Sequence, residues 1–197
     1  MNNSQVRICV FTGSRHGVRP EYANAAQELA RVLVDRNYGL VYGGGKVGLL
    51  GVLADAVLEH HGHVTGVIPA AFVDREVAHR GLSDLRIVKS MHERKAVMGD
   101  LSDGFIAMPG GIGTMEEFFE VLSWAQLGLH DKPCGLLNVD GYYKSLIHFL
   151  DYTVEQNLLK PKDRALLIVE QEPNTLLDRF EAVIATHAAK RFDRSQT

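Results

Sequence analysis

The sequence predicts an α/β fold: a single doubly wound, mostly parallel sheet of about seven strands flanked by helices, Rossmann-like in arrangement. Three observations predict it. Short apolar runs alternate with longer amphipathic ones throughout, the pattern of a parallel sheet covered by helices. The connections are short, and no linker-like Pro/Gly/Ser tract or internal repeat breaks the order. Glycine-rich segments follow several of the apolar runs, where loops leave the carboxyl ends of strands and ligands bind.

Residues 6–12, VRICVFT, are the first apolar run and read as a strand; the amphipathic stretch 21–36 reads as the helix that returns from it. GLVY (39–42) and VTGVI (64–68) are the next strands, separated by a helix over 49–61. LRIV (85–88) is the fourth strand, 91–101 a helix and GFIAM (104–108) the fifth strand. A helix over 115–129, a strand over 134–139, a helix over 143–155, a strand over 166–169 and a helix over 175–190 complete the alternation. Residues 1–197 are expected to form one nucleotide-binding domain, with a polar tail, KRFDRSQT, from about residue 190.

Composition narrows the function classes. With 197 residues, 46% hydrophobic and 23% charged, the chain can fill one sizeable core. A net charge of −3 supplies no global field for nucleic acid, so an anionic ligand must be held by local groups. Cys9 and Cys134 lie inside apolar runs and read as buried thiols of a reducing compartment. The N-terminus has no basic region followed by an apolar stretch, and no run reaches the roughly 20 apolar residues of a membrane helix. Cytoplasmic residence is expected, with neither membrane nor nucleic acid as partner.

Three glycine loops fall at the carboxyl edge of the expected sheet: "GSRHG" with Gly13 and Ser14, "GGG" with Gly44 at its centre, and "GGIGT" from Gly110 to Thr114. Glycine permits close backbone approach, and a helix N-terminus offers unpaired N–H groups, so a phosphate-bearing ligand is expected. Lys46 follows the second loop without an adjacent Ser or Thr, which excludes a Walker A loop. "GSRHG" lacks the spacing of a dinucleotide fingerprint. A mononucleotide fits better than ATP with magnesium or a whole NAD.

The stretch "MPGGIGTMEE" sets two adjacent carboxylates beside the third loop, although carboxylates repel a phosphate. Thr114 and Glu117 have capping-box spacing, which would spend Glu117 on its own helix. On a helical wheel, however, Glu117 leans toward Phe118, Val121 and Trp124, whereas Glu116 and Glu120 lie on the polar side with Ser123. Partial burial would favour the protonated acid unless a cation stands beside it. "SMHERKAVMGD" offers Arg94 and Lys95, either as a solvated pair or as that cation; an Arg fork suits a phosphate or a carboxylate. His60, His61 and His63 resemble a metal cluster, but they suit a helix C-terminus, and no metal is expected.

"PGGIGTMEE" together with "MHERK", "GGGKVGLLG" and "SWAQLGLHDKP" closely resembles the LOG family of cytokinin riboside 5′-monophosphate phosphoribohydrolases, from "VRICVFTGS" to about Asn157. The resemblance implies hydrolysis of the N-glycosidic bond of a nucleoside 5′-monophosphate, giving free base and ribose 5-phosphate without a cofactor. It implies Arg94 and Glu117 as the catalytic pair. It implies substrate contacts at Glu76, Lys95, Gly111, Ile112, Gly113, Thr114, Met115, Glu116 and Ser123. It also implies a homodimer with sites near the interface, for which helices 91–101 and 115–129 are candidates. Relatives of this kind were often labelled lysine decarboxylases, chemistry that would need pyridoxal phosphate on a lysine, and none of Lys46, Lys95 and Lys132 sits in a recognisable setting for it. Two departures stand out: Thr12-Gly13-Ser14-Arg15 replaces a GSS loop, which puts local sugar or phosphate contacts in question, and GLLG replaces GLMG. A nucleotide-binding sensor or carrier without turnover is the alternative, and the preferred base, AMP or an N6-prenylated relative, stays open.

Overall fold

The structure, a computed structural model, describes residues 5–73 and 78–194, with side chains as far as residue 186. Seven strands make one sheet: β1 (Arg7–Phe11), β2 (Gly39–Tyr42), β3 (Val64–Pro69), β4 (Asp84–Val88), β5 (Gly104–Ala107), β6 (Cys134–Leu137) and β7 (Leu167–Glu170). Their order is β4-β3-β2-β1-β5-β6-β7, and every pairing is parallel. The chain winds outward from β1 to β4, crosses back beside β1 as β5, and winds outward again on the other side. The two halves therefore diverge between β1 and β5, and a crevice opens at that switch point beyond the strand ends.

The helices are α1 (Pro20–Asp35), α2 (Gly48–Glu59), α3 (Met91–Leu101), α4 (Ile112–Gln126), α5 (Lys144–Glu155), the short α6 (Pro161–Arg164) and α7 (Pro173–Arg194). Alternate strand residues feed two cores. Ile8, Val10, Leu40 and Ile106 pack with α1, α2 and α7, whose Leu29, Leu53 and Phe180 are fully buried. Cys9, Phe11, Val41 and Phe105 pack with Met98 of α3 and with Phe118 and Val121 of α4. Both faces of the central sheet are covered, which is why the inner strands β2, β3, β5 and β6 read as unbroken runs without a charge, whereas the edge strand β4 exposes Arg86 and Ile87.

The elements match the expected order, with ends shifted by up to three residues in places such as α4, which stops at Gln126; four differences matter most. Helix α4 begins at Ile112, three residues before the expected start, because Gly111 takes the extended cap conformation (φ −95°, ψ −154°) and Gly113 is helical. Strand β6 ends at Leu137: Asn138 Oδ1 accepts the Tyr143 N–H, and the chain turns through Val139–Gly141 with Asp140 left-handed at φ 48°. Helix α7 runs on to Arg194 through the stretch expected to be a tail; residues 195–197 lie outside the described residues. Helix α6 was not expected. His61, one of the metal-like histidines, is the left-handed residue (φ 62°) just after α2, its N–H bonded to Leu58 O, and so closes that helix. Among the described residues, no helix is long and apolar enough to cross a membrane.

Candidate active site

A cleft of about 580 Å³ opens at the switch point, walled by the loops after β1, β2 and β5, the first turns of α3 and α4, and Tyr22 and Tyr142. Arg94 reaches it because α3 starts cleanly. Ser90 Oγ accepts the Glu93 N–H at 3.1 Å, and the Glu93 carboxylate accepts the Lys89 N–H at 2.7 Å, so the two ends of the cap satisfy each other. One residue on, the Arg94 side chain turns inward, only 7% exposed. Its Nη2 donates to the Gly43 carbonyl at 3.3 Å and lies 3.6 Å from Glu117 Oε1. A Cβ on residue 43 would stand 2.0 Å from that nitrogen, so the glycine makes room for the guanidinium.

Glu117 is 13% exposed and lines the same cleft. The early start of α4 decides its part. Gly111 is the N-cap, no side chain caps the helix, and the capping box between Thr114 and Glu117 is not formed. Thr114 is already the third helical residue and is buried, while Glu117 lies in the second turn. The first turn carries no acid, so the N–H groups of Ile112, Gly113 and Thr114, which have no intrahelical acceptor, offer an anion donors without a neighbouring carboxylate in that turn. Amides and carboxylates thus occupy successive turns of one helix.

Cys9, in the core and near enough to feel the charges of the pair, is fully buried. Burial, and after it the charge of Glu117, pushes its thiol well above the ordinary value, against smaller opposing effects of Ser102 and Arg94. It is a neutral core thiol and no thiolate nucleophile. Lys95, next to Arg94, turns the other way: its Nζ lies 2.6 Å from Glu116 Oε1 and 2.9 Å from Glu120 Oε1. Burial opposes its charge, but the hydrogen bonds it donates to those two carboxylates, with their negative charge, outweigh the burial and raise its pKa.

Of the residues singled out from sequence, Gly13, Ser14, Arg94, Gly110, Gly111, Ile112, Gly113, Thr114, Glu116 and Glu117 line one cleft. Gly44 lies just behind it, at φ +78°, its carbonyl accepting the His79 N–H. Met115 packs into the core, Lys95 is held by Glu116 and Glu120, and Ser123 is exposed two turns further along α4; none of the three lines the cleft. Glu76 lies outside the described residues. Arg15, the departure in the first loop, is exposed on the cleft wall. The sequence reading missed Met91, Tyr22 and Tyr142. Tyr142 was findable, since the loop after β6 leaves the same edge of the sheet; Tyr22 and Met91 carried no such signal.

A family model described as "Possible lysine decarboxylase" matches residues 50–180. The cleft does not suit pyridoxal phosphate, because among the described residues no lysine lines it: Lys46 is exposed beside it, Lys95 is bound as described and Lys132 Nζ donates to the Gly99 carbonyl. Curated relatives carry another description. The chain is 50% identical over 181 residues to "Probable cytokinin riboside 5'-monophosphate phosphoribohydrolase LOGL6" of Oryza sativa subsp. japonica, covering 92% of this chain and 72% of that one. It is 47% identical over 181 residues to the cytokinin riboside 5'-monophosphate phosphoribohydrolase LOG3 of Arabidopsis thaliana, covering 92% and 84%. Among solved structures, the molybdenum cofactor carrier protein of Chlamydomonas reinhardtii superposes with a TM-score of 0.70 at 18% identity over 92% of this chain and 99% of that one, a likeness of fold alone. With relatives 47% and 50% identical over 181 residues and a family model matching residues 50–180, the chain belongs to the LOG family of cytokinin riboside 5′-monophosphate phosphoribohydrolases.

Proposed function

We propose that this chain hydrolyses the N-glycosidic bond of a nucleoside 5′-monophosphate, AMP or an N6-modified cytokinin riboside 5′-monophosphate, to free base and ribose 5-phosphate. The observation that carries the reading is the Arg94–Glu117 pair, nearly buried, at the wall of a cleft that also holds an uncapped helix N-terminus. Water supplies oxygen to C1′ and the C1′–N bond breaks. The bonding electrons leave with the base; one proton of the water stays on the new C1′ hydroxyl and the other ends on the base. Positive charge develops on the ribose as the bond stretches, and a fixed carboxylate in a low-dielectric wall stabilises it. Glu117 takes that role and orients the water. Arg94 holds Glu117 and the phosphosugar in register. The amides of Gly111, Ile112, Gly113 and Thr114 receive the 5′-phosphate, Gly13, Ser14 and Gly44 shape the facing loops, and Glu116 accepts from a ribose hydroxyl. Lys95 acts on the substrate through Glu116 in this arrangement.

A sensor or carrier would need the amides, but it would not need a carboxylate and a guanidinium buried together beside them. The same proposal includes a homodimer in the cytosol, with α3 and α4 as the contact, since Lys95 and Ser123 on those helices lie outside the cleft of a single chain; light scattering of the purified protein measures that. Release of adenine and ribose 5-phosphate from AMP, isopentenyladenosine monophosphate, GMP and CMP tests the activity and ranks the bases. Glu117→Gln is expected to keep nucleotide binding and lower kcat by about 10²- to 10⁴-fold. Near-normal turnover in that variant removes Glu117 from the mechanism, and tight binding of AMP by the wild type without turnover identifies a carrier.

A further inference from the structure

The two tyrosines after β6, in "DGYY", have no part in the chemistry above, yet both end on the loop that feeds α4. Tyr143 is buried and its hydroxyl donates to the Met108 carbonyl at 2.5 Å. Tyr142 is 43% exposed, lines the cleft, and donates to the Gly110 carbonyl at 2.6 Å. The carbonyl between them, that of Pro109, accepts from Thr12 Oγ1 at 2.9 Å and from the Gly13 N–H at 3.2 Å. Three successive carbonyls of one loop are therefore each tied to a neighbouring element.

The direction of a carbonyl sets the direction of the next amide. In a planar trans peptide, the C=O of one residue and the N–H of the next point opposite ways. Fixing the Gly110 carbonyl on Tyr142 fixes the Gly111 N–H, the amide immediately before the N–H groups at the start of α4. At a glycine pair no side chain resists a flip of that peptide, and Gly111 has nothing within 4 Å of the place where a Cβ would stand, so the restraint must come from outside. Tyr142 can supply it because its own ring is held edge-on by Tyr22 (centroids 5.5 Å apart) and Tyr143 (4.9 Å), and because Arg19 pairs with Asp140 in the same turn.

We propose that Tyr142 is a positioning residue for the 5′-phosphate: its hydroxyl holds the Gly110–Gly111 peptide in the orientation that adds the Gly111 N–H to the amides of residues 112–114. The inference rests on the function proposed above for the site but is testable apart from it. Tyr142→Phe keeps the ring packing and removes only the donor. Ribose 5-phosphate affinity is expected to fall about 3- to 10-fold, the range for one lost hydrogen bond. KM for the nucleoside monophosphate is expected to rise in step, with kcat unchanged within about twofold, while the affinity for adenosine, which lacks the phosphate, stays at the wild-type value. A merely structural role would weaken adenosine and ribose 5-phosphate alike. Unchanged ribose 5-phosphate affinity, or equal loss of both ligands, overturns the proposal. Tyr142→Leu, which removes the ring as well, is expected to weaken ribose 5-phosphate at least as far, so a poorly folded first variant does not decide the matter. If the wild type releases no base from any monophosphate but binds ribose 5-phosphate, the proposed activity falls and the affinity ratio still decides the role of Tyr142. Absence of ribose 5-phosphate binding to the wild type overturns both.

Discussion

Gly43→Ala offers a sharp test of how Arg94 is held. The added Cβ would lie 2.0 Å from Arg94 Nη2, against an ordinary contact of 3.4 Å or more, so the guanidinium must retreat by at least 3.4 − 2.0 = 1.4 Å. The backbone at residue 43 is outside the left-handed region, so alanine adds no strain of its own. The retreat opens both the bond to the Gly43 carbonyl, now 3.3 Å, and the 3.6 Å approach to Glu117. Misplacing a catalytic group by about 1 Å costs on the order of 10² in rate, equivalent to about 2.7 kcal/mol of barrier. Steady-state release of adenine from AMP should therefore show kcat lowered about 100-fold with a folded protein. The same substitution on an Arg94→Lys background should cost little further, because lysine has no second nitrogen in the path of the new methyl. Full activity of Gly43→Ala, or additive losses in the double variant, would refute the placement of Arg94 as the source of the effect.

Ser90→Ala removes the cap that starts α3 and should lower stability by about 1 kcal/mol, read as a shifted urea midpoint; an unchanged midpoint would show that the cap contributes nothing. Phe118 is fully buried between α4 and the sheet, so Phe118→Ala should cost about 3–5 kcal/mol, and a loss under 1 kcal/mol would mean that this core collapses around the gap. Burial pushes the Cys134 thiol from an ordinary 9.0 up to about 12. Below pH 9 the thiol is protonated whether the chain is folded or not, so its contribution is fully present there. As pH rises from 9 towards 12 only the unfolded chain sheds the proton, and stability should fall by about 1.4 kcal/mol per pH unit from this group. Cys134→Ala should flatten that part of an alkaline unfolding profile, and an equally steep profile in the variant would assign the slope to other groups.

The alternation of runs was enough to place all seven strands, because the inner strands β2, β3, β5 and β6 are buried along their whole length and stay apolar, and the edge strand β4, with Arg86 and Ile87 exposed, still carries Leu85, Ile87 and Val88. Element ends were harder. The start of α4 was misjudged because Gly111 and Gly113 resemble loop residues by type, whereas their conformations depend on the neighbours they meet. That three-residue difference carries the main chemical consequence: it rules out the capping-box reading, and Glu117 stands beside Arg94 instead. Arg94 and Lys95 illustrate the same limit. Side by side in the chain, they could not be told apart by charge or spacing, yet one is buried against Gly43 and the other is shared between Glu116 and Glu120.

By itself, then, the sequence determined the parallel sheet, the glycine loops at its carboxyl edge and the family to which the chain belongs, since apolar periodicity and loop motifs are local properties of the chain. Only the tertiary structure decided that Arg94 is buried while Lys95 is shared between Glu116 and Glu120, that a glycine 51 residues before Arg94 makes room for it, and that two tyrosines brace the loop before α4. Those relations join residues far apart in sequence, and they exist only once the halves of the sheet meet beside β1.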